Sequence, residues 1–243
     1  VDLPTERELR RWKVQARRAL GITTITHGLR NELRRYGMDA EVFGNGAEVD
    51  KIRRANGERV RNDLGLKDRF VIGYIGNHCA WCGLIFLLDV FKEIKTKLSE
   101  AVLLIVGPGS LIPAAKAKVR DEQIKDVIFT GAVSTECVPM YFRAIDVGVL
   151  PRDTDPDANV SFPIKIIEYG AARKPAVATP IEVLRQISLP YVTLADLRID
   201  QWVDAILTYK TKSWQHEWDS RVEEFDWHNI AKRMAAYVKS RIE

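Results

Sequence analysis

A regular alternation of apolar runs and helical stretches begins at Phe70 and constrains the fold more than any other feature of the sequence. FVIGYIG and AVLLIVG, which start at Phe70 and Ala101, are apolar at nearly every position, whereas a strand with one solvated face alternates apolar and polar residues. Each is followed by a stretch of helical length, and the pattern repeats through PAVAT at 175–179. Strands that alternate with helices in this way predict an α/β fold with a doubly wound parallel sheet.

The first sixty residues differ from this pattern. A charged helical stretch at 6–19 and a second helix near 29–36 precede a polar segment that ends at Asn62. We interpret the polar segment as a connection between domains. The sequence therefore predicts two units, residues 1–62 and residues 63–243, of which the second contains the sheet.

Composition argues against a membrane-spanning protein and against a disulfide framework. No window approaches the roughly 18 uncharged apolar residues that a spanning helix requires, and the amino terminus carries charges where a secretory signal is apolar. The 243 residues include only three cysteines, an odd number that favours a reducing compartment. We therefore expect a cytoplasmic protein.

Basic residues are concentrated near the amino terminus of a chain whose formal net charge is +4. Because Glu6, Glu8 and Glu32 are interspersed among them, an ordinary solvated helix face is the favoured interpretation. An anionic membrane surface stays open as a partner, which would place the protein peripherally at the inner membrane surface. No nucleic-acid partner is expected.

Ligands of an open parallel sheet bind outside the carboxyl ends of its strands, where loops lead into helix amino termini that favour anions. The loops to search are therefore 76–83, 107–110, 131–134 and 153–163. Glycine opens the first three, and glycine allows the backbone to approach a ligand closely or to adopt positive φ. Since such glycines also occur in ordinary tight turns, they do not identify a binding site by themselves.

The last of these loops leads into SFPIKIIEYGAARKPAVAT, which starts at Ser161. Ser161 or Phe162 can cap a helix and Pro163 suits its first turn, which places Lys165 and Glu168 on one face. The lysine would add positive charge beside a bound diphosphate, and the glutamate would accept hydrogen bonds from sugar hydroxyls. The alternative is a surface ion pair worth about 0.3 kcal/mol, which the spacing alone would favour.

The whole pattern favours the ligand site, because it resembles the donor-binding signature of the group 1 family of retaining glycosyltransferases (family 4 type), which have the GT-B fold. In that family a Pro-x-Lys-x-x-Glu-Tyr helix precedes Ala and a Lys-Pro-x-Val-Ala-Thr strand. The matching residues here are Pro163, Lys165, Glu168, Tyr169, Ala171, Lys174, Pro175, Val177, Ala178 and Thr179. GYIG with Trp81 and Gly83, IVGPG, FTGAV and YFRAIDVGVLP resemble the family's first four strands and loops and follow in the same order.

The resemblance implies a Rossmann-like donor domain at 63–243, the carboxyl-terminal domain of a GT-B enzyme, and a remnant of the acceptor-side domain with its linker at 1–62. It implies a hexosyl- or related glycosyltransferase that moves a sugar from a nucleotide-diphosphate sugar, UDP- or GDP-linked, to an unknown carbohydrate or lipid-linked acceptor. Neither a cofactor nor a bound metal is expected, and no catalytic residue is identified.

The resemblance also implies roles for individual residues. Glu168 would hold the donor ribose, Lys165 would contact the diphosphate, and Gly131 and Val133 would flank the base through their backbone. The complete set of expected donor-binding residues is Gly76, Asn77, Gly107, Gly109, Gly131, Val133, Ser161, Phe162, Lys165 and Glu168.

Departures from the family pattern affect the contacts to the sugar and to the phosphates. Val160 occupies the first position of a pair of acidic residues that many relatives carry eight positions apart. Asn77 and Cys82 stand where many relatives place Arg and Lys in the first loop. Stabilisation of the departing nucleotide is therefore left to Lys165, backbone amides and helix dipoles.

Two further functions stay open at this stage. A non-catalytic nucleotide-sugar-binding or regulatory subunit would work with a separate acceptor-domain chain. Cys79 and Cys82 form a C-x-x-C motif of the kind used in redox proteins, although the preceding residues are better explained as a strand that runs into a ligand loop. Zinc binding by these cysteines and His78 lacks an evident fourth ligand.

Overall fold

The computed structural model describes residues 5–153 and 161–242. Its centre is a six-stranded parallel sheet with the strand order β5-β4-β3-β6-β7-β8. These strands are β3 (Phe70–Ile75), β4 (Ala101–Val106), β5 (Val127–Gly131), β6 (Val147–Leu150), β7 (Ala176–Ala178) and β8 (Val192–Leu194). The chain moves outward from β3 first on one side and then on the other, so a topological switch point lies between β3 and β6. The expected Rossmann-like α/β fold is confirmed.

The central strands are apolar and buried, as their sequences predict. All six positions of β3 and of β4 are buried, and the two strands pair in parallel from Phe70 with Ala101 to Ile75 with Val106. Helices that connect and follow the strands pack on the sheet and shield it from solvent. They are α5 (Leu84–Lys97), α6 (Ile112–Asp121), α7 (Val138–Ala144), α8 (Ile164–Ala171), α9 (Glu182–Ile187) and α10 (Ile199–Thr208).

Tyr169 fixes α8 against the switch point. Its ring is fully buried and lies over Gly148 of β6, where a Cβ would overlap the ring. Its hydroxyl accepts a hydrogen bond from the Ile75 N–H (3.4 Å) and lies 3.1 Å from the Gly73 carbonyl oxygen, to which it can donate. Because Tyr169 contacts both central strands, α8 is held beside β3 and β6.

The amino-terminal part contains a separate two-stranded parallel sheet, β1 (Thr23–Thr24) with β2 (Glu41–Val42), and the helices α1 (Glu6–Arg18) and α2 (His27–Arg35). The segment interpreted as a connection contains two short helices that the sequence analysis missed, α3 (Val49–Arg54) and α4 (Gly57–Asp63). Both pack on α7, and α3 also packs on α8. The division between residues 62 and 63 falls at the end of α4 and stays a prediction.

The final helices are α11 (Asp219–Glu223) and α12 (Trp227–Ile242), and α12 packs on the amino-terminal part of the chain. Arg233 of α12 donates a hydrogen bond to the Phe43 carbonyl oxygen (3.1 Å), and the rings of Tyr237 and Phe43 pack edge to face at 5.7 Å. By contrast, α1 has no buried residue. None of the helices in residues 5–153 and 161–242 is both long and apolar enough to cross a bilayer.

Candidate functional site

A cavity of about 280 Å³ lies at the switch point, between the loops that follow β3 and β6. We call it the Trp81 cavity, and its lining residues are Tyr74, Asn77, Cys79, Trp81, Cys82, Leu150, Arg152, Ser161, Phe162, Pro163, Ile164 and Lys165. Lys165 and Arg152 are cationic, and none of these lining residues carries a carboxylate. In the described part of the chain, this cavity therefore has the charge that favours an anionic ligand.

Close backbone contact holds the two loops of the Trp81 cavity together. Gly83 has a φ of +63°, and a Cβ there would overlap the Pro151 carbonyl oxygen. Glycine is required at this position because it alone combines that backbone conformation with so close an approach. The Asp153 N–H also donates a hydrogen bond to the Trp81 carbonyl oxygen (3.0 Å). The distance between the two loops is thus fixed in part by contacts between their backbones.

Lys165 lies over the first glycine of the site. Its Cε and Nζ are so close to Gly76 that a Cβ on that glycine would overlap them. Gly76 also has a φ of +146°, a conformation that side-chain-bearing residues rarely adopt. Within residues 5–153 and 161–242, no carboxylate lies within ion-pair distance of Lys165 Nζ. The lysine is therefore placed by packing on Gly76, with no carboxylate of the described residues paired to it.

Arg152 is a second cation at the same cavity, and the sequence analysis missed it. Its guanidinium carbon lies 4.5 Å from the centroid of the Trp81 ring, and its Nη1 donates a hydrogen bond to the Ser161 hydroxyl. The available signal was its position just after β6, at the carboxyl edge where ligands of such sheets bind. Only the fold brings this residue next to the loop that contains Trp81.

Glu168 lies in a second, neighbouring cavity of about 290 Å³, which we call the Glu168 cavity. Its lining residues are Gly46, Ala47, Glu48, Lys51, Ile52, Thr135, Val138, Pro139, Phe142, Ile164, Glu168 and Trp227. Burial raises the pKa of Glu168, and the positive charge of Lys165 opposes that rise. Ile164, the first residue of α8, lines both cavities, whereas Lys165 lines only the Trp81 cavity and Glu168 only the Glu168 cavity.

The other expected glycines build the edge of the sheet and line neither cavity. The Gly107 N–H donates a hydrogen bond to the Gly131 carbonyl oxygen (2.9 Å), and a Cβ on Gly107 would overlap the Gly76 carbonyl oxygen. Gly109 packs as closely against the backbone of His78. Val133 is partly buried against the core. The structure thus places Gly76, Asn77, Ser161, Phe162 and Lys165 together, with Glu168 in the adjoining cavity.

The start of α8 differs from the sequence expectation. The residue at the N-cap position is Pro163, and no side chain caps the helix. Ser161 and Phe162 precede the N-cap position; the Ser161 hydroxyl accepts the hydrogen bond from Arg152, and Phe162 is buried with its ring 5.6 Å from that of Phe225. The prediction that Ser161 or Phe162 caps the helix is therefore wrong. Val160 lies outside the described residues.

The C-x-x-C motif lies in the wall of the Trp81 cavity. The Cys79 N–H donates to Cys82 Sγ, and the Cys82 thiol donates to the Asn77 carbonyl oxygen, both at 3.2 Å. Burial raises the pKa of the Cys82 thiol, which disfavours the thiolate that redox chemistry uses. His78 is fully buried with Nε2 3.1 Å from the Val106 carbonyl oxygen. The described residues contain no group of three or more side chains suited to hold a metal ion.

Comparison with known proteins identifies the family. The sequence profile of "Glycosyl transferases group 1" matches residues 69–209, more than half of the chain. One relative is TuaH of Bacillus subtilis (strain 168), named as a teichuronic acid biosynthesis glycosyltransferase. It is 29% identical to this chain over 153 residues, and the match covers 61% of this chain and 36% of TuaH. The alpha-D-kanosaminyltransferase of Streptomyces kanamyceticus is 25% identical over 179 residues, which cover 70% of this chain and 45% of that protein. The chain thus spans about a third to a half of the length of these relatives.

Solved structures agree on the fold. The Anabaena HepE protein in complex with UDP and glucose matches with a TM-score of 0.78 at 17% identity, over 98% of this chain and 68% of HepE. Sucrose-phosphate synthase from Thermosynechococcus elongatus matches with a TM-score of 0.76 at 19% identity, over 97% of this chain and 62% of the synthase. The expected GT-B architecture is confirmed. From the profile match and the fold together, the chain belongs to the group 1 glycosyltransferases.

Proposed function

We propose that this chain forms the donor site of a glycosyltransferase that takes a sugar from a nucleotide-diphosphate sugar, UDP- or GDP-linked. The observation that carries the proposal is the placement of Lys165 over Gly76 in a cationic cavity at the switch point, with Glu168 in the adjoining cavity. Ligands of doubly wound sheets bind at this point of the fold. HepE, which shares the fold, was crystallised with UDP and glucose, and this supports the choice of ligand class.

The two cavities divide the donor between them in this proposal. Lys165 contacts the diphosphate, because its ammonium group has no carboxylate partner among the described residues and α8 begins one residue before it. Glu168 accepts hydrogen bonds from the ribose hydroxyls. Gly131 and Val133, which lie at the end of β5 and beyond, flank the base through their backbone. Asn77, Ser161 and Phe162 complete the wall around the phosphates and the sugar.

The proposed chemistry depends on stabilising the leaving group. When the bond from the sugar carbon to the diphosphate oxygen breaks, the sugar develops oxocarbenium character and negative charge accumulates on the diphosphate. Preorganised cations stabilise that charge better than water does, because they need not reorganise during the reaction. We propose a hexosyl or related transfer that retains the configuration at the sugar carbon. The proposed acceptor is an unknown carbohydrate or a lipid-linked acceptor.

The activity of the whole protein is part of the proposal, since the chain spans only a part of the length of its relatives. In this proposal residues 63–243 bind the donor, and residues 1–62 belong to the acceptor side and its linker. The contact between the basic amino-terminal residues and an anionic membrane, and the cytoplasmic location, stay predictions.

The test is calorimetric titration of the chain with UDP, GDP and ADP and with their glucose conjugates. We expect binding of one nucleotide class, and we expect Glu168→Ala to weaken it by about ten- to a hundredfold, the effect of losing charge-assisted hydrogen bonds. Glu217→Ala, which changes an exposed glutamate of the carboxyl-terminal region, is the matched control and should bind normally. Absence of binding by every nucleotide at about millimolar concentration, equivalent to a binding free energy weaker than about −4 kcal/mol, would refute the proposal.

A further inference from the structure

We infer that Arg152 is a phosphate-binding residue of this site and forms, with Lys165, a two-cation clamp on the diphosphate of the donor. The inference rests on the proposed function and adds a residue that neither the family resemblance nor the sequence pattern assigns. The first glycine loop contributes only neutral side chains to the Trp81 cavity, among them Asn77 and Cys82. The second cation, Arg152, lies instead in the loop after the neighbouring strand, β6, on the other side of the switch point.

The first argument concerns how firmly Arg152 is held. Its guanidinium stacks on the Trp81 ring at 4.5 Å, and Nη1 donates to the Ser161 hydroxyl. The backbone on either side is held as well, by the close approach of Pro151 to Gly83 and by the hydrogen bond from Asp153 to Trp81. A cation that is fixed before the ligand arrives loses little side-chain entropy on binding, so more of its interaction appears as affinity.

The second argument concerns the hydrogen-bond and charge partners of Arg152 among the described residues. Half-buried Arg61 and Arg173 each pair with an aspartate, at 2.6 and 2.7 Å. Arg152 is also half-buried, yet within residues 5–153 and 161–242 its one hydrogen-bond acceptor is the neutral Ser161 hydroxyl, and its Nε is buried without a partner. A guanidinium has five N–H donors, and only one Arg152 nitrogen, Nη1, is paired with a described residue. An anionic ligand would supply the acceptors that the described protein atoms do not.

The third argument concerns the kind of anion. The planar guanidinium can donate two parallel hydrogen bonds to one phosphate, whereas the lysine ammonium acts as a point charge. The Trp81 cavity holds one of each, and no described residue of its lining carries a carboxylate. Two cations match the two phosphates of a nucleoside diphosphate better than the single phosphate of a monophosphate. Arg152 should therefore contribute mainly to the preference for diphosphates over monophosphates, with Trp81 and Ser161 as its positioning residues.

The experiment measures that preference with the full chain. Calorimetry identifies which of UDP, GDP and ADP binds most tightly, and that diphosphate is then compared with its own monophosphate. We expect Arg152→Gln to reduce the ratio of the two affinities by about tenfold or more, since a charge-assisted hydrogen bond is lost. Arg152→Lys should retain part of the ratio, because it keeps the charge and loses the planar fork. Arg120→Gln, which removes an arginine exposed by 75%, is the matched control and should leave the ratio unchanged.

A positioning role for Trp81 is tested in the same assay. Trp81→Leu removes the surface on which the guanidinium stacks but keeps its charge and donors, so the ratio should fall by less than in Arg152→Gln. Thermal unfolding followed by circular dichroism accompanies each variant. If Arg152→Gln does not fold, Arg152→Lys and Trp81→Leu decide the question, and an unchanged ratio in both overturns the inference.

The outcomes separate this inference from the function on which it rests. If the unaltered chain binds none of the three diphosphates, the proposed donor site itself is wrong. If it binds one of them and Arg152→Gln keeps the full preference for diphosphate, the donor site stands and Arg152 is not a phosphate ligand. A parallel loss of diphosphate and monophosphate affinity, with the ratio unchanged, also contradicts the two-cation clamp.

Discussion

The Trp81 cavity and the Glu168 cavity have almost the same volume, about 280 and about 290 Å³, and they differ in charge. Among the described residues, the first is lined by two cations and no carboxylate, whereas the second contains Glu168 and Glu48 together with Lys51. Both are reached from α8, whose first residue, Ile164, lines each of them. One short helix thus presents a cation to one compartment and a carboxylate to the next. Chemistry, and not size, suggests which part of a nucleotide sugar belongs in each.

The largest effect should come from pushing apart the two loops of the Trp81 cavity. Gly83→Ala would place a Cβ on the Pro151 carbonyl oxygen and would strain a backbone with a φ of +63°. We expect a loss of about 2–4 kcal/mol in the free energy of unfolding, together with loss of diphosphate binding. Urea denaturation measures the first quantity and calorimetry the second. Gly65→Ala is the control, because it shares a positive φ of +65° and has open space around it.

The Gly83→Ala variant tests the difference between the two cavities, because neither of the loops that Gly83 holds together lines the Glu168 cavity. Monophosphate or nucleoside binding that survives in Gly83→Ala would sharpen the distinction between the two cavities. A variant as stable as Gly65→Ala would show that the loops separate easily. In that case the walls of the Trp81 cavity would not be rigid.

A smaller effect is expected from Lys165→Gln, which removes one charge from the cationic cavity alone. Diphosphate affinity should fall by about tenfold, and the remaining affinity should depend less steeply on salt, because fewer charges are left to be screened. Calorimetry in low and moderate salt measures both. Lys67→Gln, at an exposed position before β3 and thus at the opposite edge of the sheet, should change neither. Equal salt dependence in Lys165→Gln and the unaltered chain would remove Lys165 from the phosphate site.

The smallest effect concerns the acidic cavity and its response to pH. Burial raises the pKa of Glu168 above its ordinary value of 4.5. A carboxylate that accepts hydrogen bonds from ribose must be ionised, so nucleotide affinity should fall as the pH is lowered through that raised pKa. Glu168→Gln cannot titrate, so its affinity should lack this pH dependence and differ by about a few-fold from that of the unaltered chain as the pH falls through the raised pKa of Glu168. Calorimetry with the same nucleotide measures both profiles.

The pH profile also has a stability counterpart whose sign differs from that of a salt-bridged acid. Because the folded state binds the Glu168 proton more tightly than the unfolded state does, this residue makes folding less favourable above the raised pKa. That cost is relieved as the pH falls toward 4.5. Glu168→Gln should therefore be slightly more stable than the unaltered chain at neutral pH. Identical pH profiles of affinity and stability in the two proteins would place Glu168 in an ordinary solvated environment.

Much of the fold could be predicted from the chain because its signals are local. The apolar runs of β3 and β4 specify strands buried on both faces, and their alternation with helices specifies a parallel sheet. The short helices α3 and α4 were missed, because they are polar and lie in a segment rich in turn-forming residues. Their helical form is stabilised by packing on α7, which a sequence does not display.

The candidate site could be predicted in part. Lys165 and Glu168 were found because they lie in one contiguous segment with a recognisable spacing. Arg152 was missed because Trp81, on which its guanidinium stacks, comes from a loop that is distant in sequence and meets Arg152 only at the switch point. The expected helix cap is wrong because the helix begins later than predicted, with Pro163 and not Ser161 or Phe162 at the N-cap position.

By itself the sequence determined the elements, their order and the edge of the sheet at which a ligand should bind, since these follow from hydrophobic periodicity and from the rules of parallel sheets. The tertiary structure alone decided that Lys165 and Glu168 enter different cavities and that Arg152 joins the first of them. The physical reason is that side-chain neighbours across a crevice depend on how closely two backbones approach. Here Gly83 allows the close approach of the Pro151 backbone, and Gly76 leaves room for the Lys165 side chain; both are contacts between residues far apart in the chain.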